Sequence, residues 1–161
     1  LAKALTNGTQ PMGAVAVRDG VYETVVEKAG DAAVELFHGY TYSAHPAACA
    51  AALATLDIYE GERLFDRARE MSGAFLDGMF SLADLPAVTD VRGYGMLAAF
   101  DLKPDGPPGT RGHKCLKRLF DEGLLIKWTG DTGIVAPPLI AEPGHIQTMA
   151  GILRETIAEL R

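Results

Sequence analysis

The stretch 47–82 most constrains the fold, because it predicts two consecutive helices separated by a short break. An alanine-rich helix is predicted over 47–59, and Pro46 before it suits the first turn of a helix. Glu60-Gly61 then interrupts the pattern. Over 62–82, apolar side chains recur at helical spacing, which indicates an amphipathic helix whose apolar stripe packs into a core.

The flanking segments alternate between short apolar strands and further helices, which predicts a mixed α/β order with a boundary near Glu60-Gly61. We expect the second and third strands to pair across Arg92-Gly93-Tyr94, and the last two to form a hairpin around Gly130-Asp131. The predicted strands are 12–17, 88–91, 95–102, 124–128 and 133–136; the predicted helices are 21–27, 113–122 and 143–160; 39–45 and 103–112 are predicted loops, and 29–37 is ambiguous.

Length and charge exclude several classes of protein. With 161 residues, of which 48% are hydrophobic, the chain can form one substantial domain or two small ones. A formal net charge of −6 and the lack of a basic run argue against a nucleic-acid partner. The sequence shows no signal peptide, and its apolar stretches are too short to span a bilayer, so we expect no membrane partner.

The cysteines and histidines predict no metal site. Cys49 and Cys115 lie far apart without CxxC spacing, which indicates neither a zinc site nor a disulfide framework. Reduced thiols in the cytoplasm are the simplest account of them. The four histidines show no ligand spacing, and His45 is interpreted as structural.

Lys3 is the main candidate for chemistry. It is flanked by Ala2, Ala4 and Leu5, and a Thr-Asn-Gly turn follows it. A lysine held among apolar side chains loses hydration, and a neutral amine is the form that attacks a carbonyl carbon. The spacing alone favours an ordinary solvated lysine near the end of a strand, because such lysines are commoner than catalytic ones.

Four blocks, in order along the chain, carry a more specific signal. They read AKALTNGTQPMGAV from Ala2, HGYTYSAHPAACAAALA from His38, DVRGYGML from Asp90 and TGDTGIVAPPLI from Thr129. Together they resemble the class III, or omega, aminotransferases, which depend on pyridoxal phosphate. Their residues are most similar to those of the beta-alanine–pyruvate branch. Any one block alone would be weak evidence for this family.

The resemblance implies a fold and a place within it. The chain would be the C-terminal portion of a fold-type I pyridoxal-phosphate-dependent transferase, with an α/β fold. Residues 1–59 would end the large cofactor-binding domain, and 60–161 would form the small α+β C-terminal domain. The family's aspartate for the pyridine nitrogen lies before the lysine, so we expect these 161 residues alone not to turn over substrate.

The resemblance also assigns roles to individual residues. Lys3 would bond to pyridoxal phosphate and act as the general base, and Thr41 would bind the phosphate across a dimer interface. Thr41 would otherwise be a loop threonine bonded to its own backbone. Arg92 would either grip a substrate carboxylate or be structural, and the second interpretation is favoured.

Lys127 departs from the family's pattern. Relatives that use pyruvate often carry an arginine here for the substrate carboxylate, and a lysine keeps the charge but loses the planar fork. The preferred amino donor and acceptor therefore stay open. Asp131, close by in the chain, is interpreted as a residue of the hairpin turn rather than as a catalytic acid.

The resemblance implies a homodimeric aminotransferase that moves an amino group from an omega-amino acid or amine to pyruvate or another 2-oxo acid. An aminomutase, racemase or decarboxylase would start from the same lysine-bound cofactor, so the lysine block does not separate these reactions. A non-catalytic oligomerisation fragment is the alternative from a different class.

Overall fold

A computed structural model describes residues 1–29 and 39–160 of the chain. These residues form two compact units, Leu1–Glu62 and Arg63–Arg161, and each is described by itself. The ambiguous segment 29–37 lies outside the described residues apart from Ala29, as does His38 at the start of the second sequence block.

The first unit contains two helices, α1 (Asp19–Ala29) and α2 (Pro46–Gly61). Both confirm predictions made from the sequence. Pro46 occupies the first turn of α2, and His45 is its N-cap residue without a side-chain capping bond. Ala48, Ala52 and Thr55 recur at helical spacing and form the buried stripe of α2.

The strand predicted over 12–17 is wrong. Its pairing within the described residues is a single bridge between Ala2 and Gly13, and Leu1 and Ala14 exchange backbone hydrogen bonds beside it. Val15 and Val17 are 87% and 54% exposed. An apolar run predicts burial, but a strand also needs a partner for its backbone groups, and periodicity does not reveal whether one is present.

The second unit is built on a four-stranded antiparallel sheet with the strand order β1-β2-β4-β3. The helix predicted over 62–82 is confirmed, but its last turn tightens to a 3-10 turn. The elements are α3 (Leu64–Phe80), the 3-10 turn Ser81–Asp84, β1 (Val88–Tyr94), β2 (Leu97–Leu102), α4 (Thr110–Asp121), β3 (Lys127–Thr129), β4 (Thr132–Val135) and α5 (Pro143–Ala158).

The core of this unit lies between the three helices and one face of the sheet. Phe75 of α3, Phe100 of β2, Leu119 of α4 and Leu153 of α5 are each at most 1% exposed. Burying one such side chain contributes about 1.5–3 kcal/mol. The opposite face of the sheet is open, and Tyr94 on β1 is 90% exposed.

The first hairpin turns later than predicted. β1 runs through Arg92 and Gly93 to Tyr94, which pairs with Leu97, so the turn falls at Gly95-Met96 and not across 92–94. Gly95 has φ +57°, which glycine adopts without a steric penalty. The second hairpin, around Gly130-Asp131, is confirmed.

Among the residues that the structure describes, no helix is both long and apolar enough to cross a membrane.

Candidate active site

The loop after Lys3 closes on itself through hydrogen bonds. The Lys3 carbonyl accepts from the amides of Thr6 and Gly8, both at 3.3 Å. Thr6 is 1% exposed and donates its hydroxyl to the Gln10 carbonyl at 2.6 Å. The Thr9 hydroxyl donates a hydrogen bond to the Thr6 carbonyl at 2.7 Å. The threonines that follow Lys3 therefore fix the backbone on which it lies.

A tyrosine ties this loop to α2. The Tyr59 hydroxyl donates to the Ala4 carbonyl at 2.8 Å, next to Lys3. Lys3 itself has a left-handed backbone, with φ +59°, and an exposed side chain with no hydrogen bond or ion pair to the described residues. This exposure matches the ordinary solvated lysine that the spacing alone favours, and Ala2 and Ala4 are exposed as well.

Thr41 lies in a separate turn before α2. The Ser43 amide bonds the Tyr40 carbonyl at 3.0 Å, and Ala44 has φ +56°. The Thr41 side chain is exposed, and its hydroxyl forms no hydrogen bond with any residue in 1–29 or 39–160. The self-bonded loop threonine considered above is therefore not what these residues form.

A pocket of about 510 Å³ connects the two loops. Thr41 and Ser43 line it, as do Met12 and Gly13. Lys3 does not line this pocket. The fold thus brings Thr41 next to the end of the lysine loop but not next to the lysine side chain.

In the second unit, the two candidate substrate residues share one row of the open sheet face. Arg92 pairs with Ala99, Ala99 with Ile134, and Ile134 with Lys127. Neighbouring strands lie about 4.8 Å apart, so the backbones of Arg92 and Lys127 are roughly 14 Å apart. Two cations therefore flank a small apolar floor.

Arg92 is already engaged by acidic side chains. Its guanidinium donates to Asp90 at 2.6 Å and to both carboxylate oxygens of Asp101 at 2.8 and 3.2 Å. The Thr132 hydroxyl also donates to Asp101, at 2.7 Å. Asp101 and Asp90 raise the pKa of Arg92, and the bonds from Arg92 and Thr132 lower the pKa of Asp101. This network favours the structural interpretation of Arg92.

Lys127 differs from Arg92 in having no acidic partner. Its side chain is exposed and forms no hydrogen bond or ion pair within the described part of the chain. It lies beside an apolar cavity of about 570 Å³ that Ile134, Pro137 and Pro138 also line. An ammonium next to apolar walls suits the carboxylate of a small organic acid.

Asp131 has a role that the sequence analysis missed. One carboxylate oxygen accepts the Gly109 amide at 2.9 Å, and the other accepts the Gly112 amide at 2.8 Å. These bonds lower the pKa of Asp131. They satisfy two amides at the start of α4, whose N-cap residue Gly109 has no side chain to do so. No sequence pattern links Asp131 to these amides, because 22 and 19 residues separate them from it.

The family is decided by a comparison with known proteins. The family model "Aminotransferase class-III" matches residues 1–157. The chain belongs to the class III aminotransferases. This class III chain is 47% identical over 161 residues to an omega-aminotransferase of Caulobacter vibrioides, covering 99% of this chain and 36% of that protein. It is 36% identical over 159 residues to a beta-alanine–pyruvate aminotransferase of Pseudomonas aeruginosa, covering 98% and 36%.

Solved structures confirm the fold-type I assignment of this aminotransferase chain. A transaminase from the marine bacterium Virgibacillus superimposes with a TM-score of 0.88 at 32% identity, over 99% of this chain and 38% of that one. The α/β fold class is confirmed in the same way. The chain spans about a third of the length of the relatives that it matches.

The side chains present fit the family's cofactor. Class III aminotransferases use pyridoxal phosphate. Lys3 offers a primary amine, the group that condenses with an aldehyde, and this amine has no partner among the described residues. Thr41 offers an unbonded hydroxyl beside a pocket, which suits a phosphate oxygen.

Proposed function

We propose that this chain is the C-terminal part of a pyridoxal-phosphate-dependent aminotransferase that moves an amino group from an omega-amino acid or amine to pyruvate or another 2-oxo acid. The match over residues 1–157 carries the proposal, because that range includes Lys3 and Thr41. Relatives named as beta-alanine–pyruvate and omega-amino acid–pyruvate aminotransferases support pyruvate as the acceptor.

Residues 1–59 would end the large cofactor-binding domain, and 60–161 would be the small C-terminal domain. The division into compact units at Glu62–Arg63 supports this assignment. The cofactor aspartate of the family precedes the lysine, so we expect these 161 residues alone to be inactive.

Lys3 and Thr41 would hold the cofactor. The Lys3 amine would hold it covalently, and as a free amine Lys3 would carry the proton moved during transfer. The Thr41 hydroxyl would donate a hydrogen bond to the phosphate. Pyridoxal phosphate, when bound, supplies the electron sink that makes the substrate carbon acidic.

Lys127 would bind the carboxylate of the acceptor, and Arg92 would hold the sheet around it. The support is the contrast between them: Lys127 is free of acidic partners in the described chain, whereas two carboxylates occupy Arg92. A lysine binds as a point charge and lacks the bidentate geometry of arginine, so we expect weaker orientation of the acceptor than in arginine-bearing relatives.

The working protein would be a homodimer in which Thr41 serves the partner's cofactor. The position of Lys3 outside the pocket that Thr41 lines supports this arrangement. Cytoplasmic location is part of the proposal, and two free thiols, typical of a reducing compartment, support it.

The test uses the full-length protein that the gene encodes. We expect added pyridoxal phosphate to give a visible absorption band, and borohydride to abolish that band while it fixes the cofactor covalently onto Lys3, as peptide mapping detects. Lys3→Ala should lose the band, and Lys28→Ala, which changes an exposed lysine at the end of α1, should keep it. A band that persists in Lys3→Ala refutes the cofactor role.

The reaction is tested with pyruvate and a panel of amines. An aminotransferase forms alanine in step with the loss of amine. Release of carbon dioxide, or rearrangement of the donor without alanine, would refute transamination in favour of a decarboxylase or aminomutase.

A further inference from the structure

Lys127 lies on a short edge strand with few backbone hydrogen bonds of its own. β3 has three residues, stands at the edge of the sheet and pairs with β4 through three residue pairs. So short a ladder contributes few hydrogen bonds, and the placement of Lys127 therefore depends on what anchors the β3–β4 hairpin. Besides the backbone pairing of β4 with β2, the described residues supply two side-chain anchors, one on the inner face of the sheet and one at the turn.

The inner anchor is aromatic. Trp128 meets Phe100 edge to face, with ring centroids 5.6 Å apart and an interplanar angle of 89°. The Phe100 ring also lies against Gly133, where a Cβ would overlap it. Because successive strand residues point to opposite faces, the inward position of Trp128 directs Lys127 to the open face.

The turn anchor is Asp131. Besides the bonds from Gly109 and Gly112 to its carboxylate, its carbonyl accepts the Leu102 amide at 3.0 Å. The Gly130 carbonyl packs so closely on Gly112 that a Cβ there would overlap it. The turn is thus attached both to the end of β2 and to the first turn of α4.

We propose that Asp131 is a positioning residue, which by tying the β3–β4 turn to α4 sets the place where Lys127 meets the carboxylate of the acceptor. This rests on the substrate role proposed for Lys127. Backbone amides engage both carboxylate oxygens of Asp131, so Asp131 has no free oxygen for the substrate and would act on it only through Lys127. A displaced Lys127 would weaken binding of the 2-oxo acid and leave the chemical step unchanged.

A double-mutant cycle on the full-length protein tests the proposal, with pyruvate as acceptor. Asp131→Asn keeps the size of the side chain but turns an NH₂ group toward a backbone amide. We expect KM for pyruvate to rise about tenfold, with kcat within about twofold of the parent. In a Lys127→Met background, Asp131→Asn should raise KM no further, because the ammonium that it positions is gone.

Asp84→Asn is the matched control, since Asp84 accepts two bonds from Arg154 and links the 3-10 turn to α5. It should leave KM unchanged. The proposal is overturned if Asp131→Asn leaves KM unchanged, if it raises KM equally in both backgrounds, or if Asp84→Asn raises KM as much. If Asp131→Asn does not fold, Asp131→Ser, which keeps one acceptor oxygen, takes its place under the same criteria.

The cycle separates this proposal from the one on which it rests. If Lys127→Met leaves KM for pyruvate unchanged, Lys127 does not bind the acceptor, and both proposals are refuted. If Lys127→Met raises KM and Asp131→Asn does not, the positioning role alone is refuted.

Discussion

Replacing Gly112 by alanine tests the contact between α4 and the β3–β4 turn, because two effects oppose each other there. Gly112 lies in the first turn of α4, and alanine is favoured over glycine inside a helix by about 1 kcal/mol. Against this, a Cβ at residue 112 would overlap the Gly130 carbonyl. Overpacking of this kind costs about 1–3 kcal/mol.

The overlap also weakens the cap of α4. To make room, the turn must move away from the helix, which lengthens the bonds from the Gly109 and Gly112 amides to Asp131. Losing an N-cap costs about 0.5–2 kcal/mol. With overpacking and cap loss set against helix propensity, we expect Gly112→Ala to lower the free energy of unfolding by about 2 kcal/mol.

The assay uses the 161-residue chain, in which Trp128 is the sole tryptophan and lies in β3. Its fluorescence reports unfolding of the sheet in urea, and a loss of about 2 kcal/mol should lower the midpoint by about 1 M. The matched control is Gly73→Ala in α3, where a Cβ would meet open space, so its midpoint should rise. A Gly112→Ala midpoint at or above that of the parent would refute the reasoning.

Three further predictions follow from the same structure. The Gly112 and Gly109 amides hold the pKa of Asp131 below its usual range, so the stabilising effect of Asp131 is present above about pH 4 and is lost as the pH falls through the lowered pKa. The urea midpoints of the parent and of Asp131→Asn should therefore converge in acid, and a constant gap between them would contradict this. Burial raises the pKa of the Cys115 thiol to about 12. Iodoacetamide should therefore alkylate the half-buried Cys49 in the native protein and Cys115 only in urea, as peptide mass spectrometry detects. Labelling of Cys115 in the native protein at the rate of Cys49 would rule this out. In the full-length protein, Lys127→Arg should leave KM for pyruvate unchanged or lower it, because the planar guanidinium restores bidentate binding, and Lys127→Met should raise KM about tenfold. Lys117→Met on α4 is the control, and equal KM values for Lys127→Met and the parent would refute the role of Lys127.

The helices were predictable because their signals are local. The stripe over 62–82 needs one helix period to be recognised, and α3 confirms it. The strand over 12–17 failed because pairing depends on residues elsewhere. Gly93 was misjudged for a related reason: it was interpreted as a turn residue, whereas it lies inside β1, where a Cβ would crowd Leu76 of α3.

The candidate site divides in the same way. Lys3 and Thr41 were identified because they lie in blocks that the family shares, and Lys127 because it departs from the family's pattern just before the fourth block; the roles of all three stay predictions. The occupation of Arg92 depends on Asp101, across a hairpin, and on Thr132, 31 residues further along the chain from Asp101. The cap that Asp131 supplies spans 19 and 22 residues to its two amides. No local pattern carries such information, because it arises only when the strands pair.

The row of residues across the open sheet face bears on which acids the protein would accept. The row carries two cations, but Asp90 and Asp101 already neutralise Arg92, which leaves Lys127 as the one uncommitted charge of the row. A monocarboxylic 2-oxo acid needs one such charge, whereas a dicarboxylic 2-oxo acid carries a second carboxylate for which the row offers no uncommitted cation. If Lys127 binds the acceptor as proposed, we expect the full-length protein to favour monocarboxylic over dicarboxylic acceptors, and a kcat/KM for a dicarboxylic 2-oxo acid equal to that for pyruvate would contradict this.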